Sequence, residues 1–219
     1  MTEQQTTVEP TGLPQTSQGS SEQILEQVIR IGKKILPGFD IPEEQKVYYI
    51  NLALYFSGHP GCAWDLKKGL LISGVVGTGK TLSMRIMAEA TRKFKIINTR
   101  YVIRDYMAAQ IPVSVIDKYG RSSFRITAHG TPDREIPFAY CFDDFGLENV
   151  STKNYGNQQN IMEEVMLDRY DMFLAHGMIT HCTTNLSPTM IEKYYGIRVR
   201  DRLREMVNYI ELQGASKRK

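Results

Sequence analysis

Cysteine is scarce: the 219-residue chain holds three, Cys62, Cys141 and Cys182. Their spacing makes no zinc or iron–sulfur site, and so few excludes a disulfide-stapled scaffold. Cys141 and Cys182 fall inside apolar, strand-like runs and read as buried reduced thiols. Histidine is sparse too: His59, His129, His176 and His181 are scattered, with no partner at ligand or triad spacing. There is no large excess of one charge, since 27 basic residues face 24 acidic ones, a formal net charge of +3. That balance allows a nucleic-acid partner without demanding one. No apolar run approaches the roughly 18 residues that cross a bilayer. Residues 1–21 lack the basic start and apolar centre of a secretory leader. A cytoplasmic protein with no membrane contact is therefore expected. The same segment is rich in Thr, Gln, Ser and Pro and is expected to be a disordered tail.

What is present is concentrated in one segment. Gly74-Val75-Val76-Gly77-Thr78-Gly79-Lys80-Thr81 spells G-x-x-x-x-G-K-T, the phosphate-binding P-loop. An apolar run, Gly69 to Ser73, precedes it and reads as a buried strand. Leu82, Ile86 and Ala90 follow at helical spacing. That strand–loop–helix setting is what the motif requires. Glycines let the backbone close around phosphate oxygens, and the helix start aims unpaired N–H groups at the anion. The cofactor-binding set is Gly74 through Leu82. Lys80 reaches the β- and γ-phosphates of ATP, and the Thr81 hydroxyl is a ligand for Mg2+.

Around this unit the chain alternates helix and strand. Ser20-x-x-Gln23 is a capping box, followed by Ile24, Val28, Ile31 and Ile35 on one helical face. A second helix carries Val47, Ile50 and Leu54 on its apolar face and stops at Gly58. Residues 22–60 form a helical linker or partner-docking segment, and 61–219 the nucleotide-binding domain. Lys95 to Thr99 is a second strand. Helices broken near Pro112 cover Val102 to Tyr119, and Arg121 to Glu135 is a loop or short hairpin. Phe138 to Phe142 is a third strand, Asn157 to Phe173 a helix, Met178 to Thr183 a fourth strand and Val207 to Leu212 a fifth. Such alternation argues for a parallel sheet covered on both faces.

Two more strand ends carry chemistry. Phe138 to Asp144 is an apolar strand ending in two acids. A carboxylate at the carboxyl edge of a strand stands where Mg2+ needs one, so Asp143 is assigned to the metal, and Asp144 to the attacking water. Asp144-Phe145-Gly146 mimics a kinase D-F-G, but no H-R-D-x-x-x-x-N loop accompanies it. At the next strand end, Asn185, with Thr184 behind it, is placed to sense the γ-phosphate. Finally, Val199, Leu203 and Met206 make an apolar helix face flanked by Arg198 and Arg202 on one side and Arg200 and Arg204 on the other. One such arginine could complete the ATP site of a neighbouring subunit.

In this order the motifs resemble the AAA+ class, and more narrowly the DnaC/IstB group of helicase loaders and transposition helper ATPases. The most specific pieces are Asp143-Asp144-Phe145-Gly146, Arg169-Tyr170, Thr183 to Pro188, Tyr195 to Glu205, and Ile210-Glu211-Leu212-x-Gly214. The resemblance implies a P-loop α/β/α sandwich with a five-stranded parallel sheet in the order 5-1-4-3-2 and no C-terminal lid. It implies Lys80, Asp144, Asn185 and Arg202 as catalytic residues, with Arg202 the arginine finger acting in trans within a homo-oligomer. It also implies a slow ATPase, stimulated by DNA and a partner, that loads a replicative helicase or, alternatively, serves a transposase. The class commonly has Glu where Asp144 stands, and the shorter acid fits slow turnover. In related initiators the helices after the second strand touch single-stranded DNA; the matching stretch holds Arg100, Tyr101, Arg104, Lys118, Arg121 and Arg125. From another class, a P-loop nucleotide or small-molecule kinase would need an acceptor pocket and an Arg-bearing lid, neither visible here. A GTP switch lacks its N-K-x-D motif, and a non-hydrolysing adaptor would not need the intact acids.

Overall fold

The computed structural model describes residues 21–127, 134–148, 152–154 and 157–214. The expected tail through residue 20, the Ser20 cap, His129 and the basic end at 215–219 lie outside the described residues.

The chain opens with α1 (Ser21–Ile35), then a 3-10 turn at Glu43–Gln45 and α2 (Lys46–Ser57). Strand β1 (Gly69–Ser73) feeds the P-loop and α3 (Lys80–Thr91). Next come β2 (Phe94–Asn98), α4 (Thr99–Ala108) and α5 (Val113–Tyr119). The latter half holds β3 (Ala139–Phe145), α6 (Ile161–His176), β4 (Thr180–Thr184), α7 (Pro188–Met206) and β5 (Val207–Glu211). Two antiparallel hairpins stand apart from this sheet: Phe124–Thr127 with Arg134–Pro137, and Thr152–Asn154 with Asn157–Gln159.

The sheet runs β5-β1-β4-β3-β2, the expected order, and every neighbouring pair is parallel. The register pairs Ser73 with Glu211 and Asn98 with Asp143, so the strand ends that carry the candidate site residues share one rim. Side chains of a strand alternate between faces. Leu70 and Ile72 therefore pack with α1, α2 and α3, while Leu71 enters a second core with α4, α5, α6 and α7. The result is three layers, with the N-terminal helices sharing one core with the P-loop helix.

Several local expectations shift. The buried side of α2 is not the Val47 face: Val47 is 71% exposed, while Tyr49, Leu52, Ala53, Tyr55 and Phe56 are buried. This helix is apolar nearly all round, so periodicity cannot choose a face; packing against α1 and α3 chooses it. Helix α6 starts at Ile161, not Asn157, because the Asn160 side chain caps it by accepting the Glu163 N–H. β3 continues past Phe142 through both acids to Phe145. α7 starts as expected, Ser187 accepting the Met190 N–H, and bends at Gly196.

Candidate functional site

The glycines of the P-loop are there for space and for backbone angle. Gly74 has φ 147°, and a Cβ there would lie 2.5 Å from the Leu212 carbonyl oxygen. Thr78 is buried, its hydroxyl donating to the Val75 carbonyl at 3.0 Å, while Val75 and Val76 turn their side chains outward. Leu82 packs partly buried against the core shared by α1, α2 and α3.

Lys80 is 7% exposed, and its ammonium donates to the carbonyls of Gly74 (2.7 Å) and Val75 (2.8 Å) and to Asn185 Oδ1 (2.7 Å). The structure thus brings Lys80 and Asn185 together from sequence positions 105 apart. Beside them, Thr81 Oγ1 donates to Asp143 Oδ1 at 2.6 Å. The same carboxylate oxygen accepts from Thr183 Oγ1 at 2.6 Å. Asp143 is 5% exposed, so these short bonds stabilise a buried carboxylate that would otherwise be costly.

Asp144 has φ 60°, a left-handed conformation that aspartate tolerates better than most residues. Four hydrogen bonds hold it, one of them from the Leu147 N–H to its carbonyl at 2.9 Å. Its N–H donates to Thr183 Oγ1 (3.1 Å), its carbonyl accepts from Thr99 Oγ1 (3.1 Å), and its carboxylate accepts from Asn98 Nδ2 (2.9 Å). Below the turn, buried Glu148 accepts from the Gly146 N–H at 2.9 Å and from the Tyr195 hydroxyl. The Tyr195 ring stacks on Phe145 at 4.3 Å between centroids.

Four partners escaped the sequence reading. Thr183 meets Asp143, while Thr184, expected behind Asn185, donates to the Phe145 carbonyl and accepts from the Leu186 N–H. Strand alternation holds the signal, because neighbouring residues face opposite ways. Asn98 ends β2 in register with Asp143, so the sheet order alone points to it. Glu148 lies beyond the acidic strand and carries no motif. Gln45, 1% exposed, donates to the carbonyls of Thr78 and Gln213, both at 3.2 Å, and so ties the N-terminal segment to the P-loop. Phe39 and Ile41, near the same linker, are core residues.

Arg202 stands apart from this cluster. Its guanidinium lies 4.7 Å from the Tyr170 ring centroid and 4.0 Å from Asp171 Oδ1, both on α6. Arg200 pairs with Glu192 at 3.0 Å, and Arg198 is exposed. Arg104 lies over Tyr101, Lys118 pairs with Asp105, and Arg121 with Asp168. Cys141 and Cys182 are buried free thiols, and burial drives the Cys182 thiol up to about 12. No helix among the described residues is long and apolar enough to cross a membrane.

Solved structures with this architecture include DnaI, at 18% identity and a TM-score of 0.54 over 86% of this chain and 93% of that one. The DnaC helicase loader follows at 14% identity and TM-score 0.52, covering 82% and 96%. The chain shares their fold. AMPPCP-bound DnaA from Aquifex aeolicus shares it at 15% identity and TM-score 0.51, over 81% of this chain and 49% of that chain. No family model matches the sequence, and no curated protein matches it. Identity this low shows a shared fold and leaves the chemistry to the residues themselves.

Proposed function

We propose that this AAA+ protein binds and hydrolyses ATP and acts on DNA as a loader of a replicative helicase. The observation that carries the reading is convergence: Lys80 with Asn185, and Thr81 with Asp143, meet at one rim of the sheet, directly after the P-loop. Likeness to the DnaC helicase loader and to AMPPCP-bound DnaA supports nucleotide binding within a replication role.

In this reading the P-loop amides and Lys80 grip the triphosphate, trading carbonyl partners for phosphate oxygens. Thr81 and Asp143 offer a hydroxyl and a carboxylate oxygen, a donor set that suits Mg2+ completed by phosphate oxygens. The ion supplies neutralisation of the phosphate charge. Asp144 orients water and accepts its proton, Asn98 restrains that carboxylate, and Asn185 senses the γ-phosphate. A short acid held by Asn98 favours slow turnover. Arg202 lies away from its own subunit's site and acts in trans, on the ATP of an adjacent copy. Residues 22–60 dock the partner, and Arg100, Tyr101, Arg104, Lys118, Arg121 and Arg125 are the basic and aromatic set for single-stranded DNA.

The test is a pull-down with ATP and with ADP, read for a replicative helicase; capture of a transposase instead would replace the loader reading with a transposition helper. Labelled ATP separates an ATPase, which releases phosphate to water, from a kinase, which transfers it to an acceptor. Arg202→Ala is expected to keep ATP binding and to lower turnover by about 10³-fold. Undiminished hydrolysis in that variant would remove the trans assignment.

A further inference from the structure

α7 bends at Gly196, where φ is 80° and ψ 164°. Between its two arms, over β1 and β5, lies a cavity of about 480 Å3. Leu71, Ile191, Leu203 and Val207 give it an apolar lining, and Arg200 and Arg204 add charge. Glu192 neutralises Arg200 at 3.0 Å, whereas exposed Arg204 has no acidic partner among the described residues. An apolar hole beside an uncompensated cation suits an apolar side chain carried next to a carboxylate.

The chain displays such a knob on its other side. Glu44 is exposed with no cationic partner among the described residues, and Val47, one helical turn on, is 71% exposed. Between them, Gln45 donates to the Thr78 carbonyl, which fixes the knob beside the P-loop. The knob cannot reach the cavity of its own subunit. α2 packs on the sheet face of Leu70 and Ile72, while the cavity opens on the face of Leu71 and α7.

We infer that Glu44 and Val47 of one copy seat in the bent-α7 cavity of the next copy, with Glu44 meeting Arg204. The contact is heterologous and repeats head to tail, as in a ring or filament. It rests on the proposal of an ATP site completed in trans, and it joins the two surfaces that proposal requires: the P-loop side of one copy and the α7 side of another.

Sedimentation of the full-length protein with AMPPCP and single-stranded DNA tests it. Arg204→Glu and Glu44→Arg, each alone, are expected to weaken self-association by about tenfold or more, and the double charge swap to restore it. Val47→Asp, on an already exposed position, weakens association without touching the core. AMPPCP binding by the monomer stays unchanged in all of them. Assembly indifferent to these changes, or a double swap without rescue, overturns this contact and leaves trans completion standing. A wild-type protein that stays monomeric overturns both. Normal assembly of Arg204→Glu with loss of helicase capture alone assigns the cavity to the helicase and overturns the inference.

Discussion

The two rims of the sheet each bury a cation, and they use it in opposite ways. At the carboxyl rim, Lys80 leans on two carbonyls of a glycine-rich loop and on one amide side chain. At the amino rim, Arg169 is fully buried. It donates to the carbonyls of Tyr119 (2.9 Å), Phe138 (3.1 Å) and Ile179 (2.8 Å) and to Thr180 Oγ1 (2.6 Å). Its guanidinium also lies 5.5 Å from the Tyr140 ring centroid and 5.6 Å from that of Phe142. Burial lowers the Arg169 pKa to about 10, so it stays charged at neutral pH. The partners of Arg169 sit at the end of α5 and the entrances of β3 and β4, where the core allows no exchange. In the proposed function, a phosphate replaces the loop carbonyls that Lys80 holds. One rim is pinned by its cation, and the other is poised to trade its partners.

Breaking the pinned rim has the largest expected effect. Arg169→Met leaves three carbonyls and a hydroxyl without their donor, and about 3–5 kcal/mol of stability should be lost. Urea unfolding measures it; a loss under about 1 kcal/mol would mean that the network is not structural. Next is Lys80→Ala. The fold should persist, because the loop carbonyls are reachable by water, while ATP affinity falls on the order of 100-fold or more, a change of about 3 kcal/mol. Calorimetric titration showing unaltered affinity would count against the whole phosphate site.

The smallest effect sharpens the contrast through pH. His181, on β4 beside Arg169, accepts the Leu70 N–H at Nδ1 (3.1 Å) and is therefore neutral. Burial, aided by Arg169, lowers its pKa from 6.5 to about 3. Between those values the unfolded chain binds a proton that the folded chain refuses, so stability is full above about pH 6.5 and declines as pH drops. By pH 5 the loss should reach about 2 kcal/mol. His181→Gln, which keeps an acceptor for Leu70, should flatten that slope. An identical urea midpoint for the native sequence at pH 7 and pH 5 would contradict the assignment.

The difference between the rims also explains what could be read in advance. The carboxyl rim was largely legible: a P-loop is a contiguous string, and Asp143, Asp144 and Asn185 follow apolar strands that announce themselves. The amino rim was not. Arg169 sits mid-helix among Met166, Tyr170 and Phe173, and nothing local marks it as buried rather than solvated. Its role depends on three segments meeting in space. Thr183 and Asn98 were missed for a related reason, since their partners come from neighbouring strands and register decides the contact. The exposed face of α2 was misread because its sequence is apolar on every side.

Sequence alone determined the glycine-rich loop between strand and helix, the acidic strand end and the alternation of helix and strand. Each is a local pattern imposed by backbone geometry and periodicity. Tertiary structure decided which hydroxyl faces Asp143 and which amide holds Asp144. It also decided where Arg202 lies and that the Glu44–Val47 knob and the α7 cavity occupy opposite faces of the sheet. Those relations join residues far apart in the chain, and only the packing of two cores against one sheet brings them together or keeps them apart.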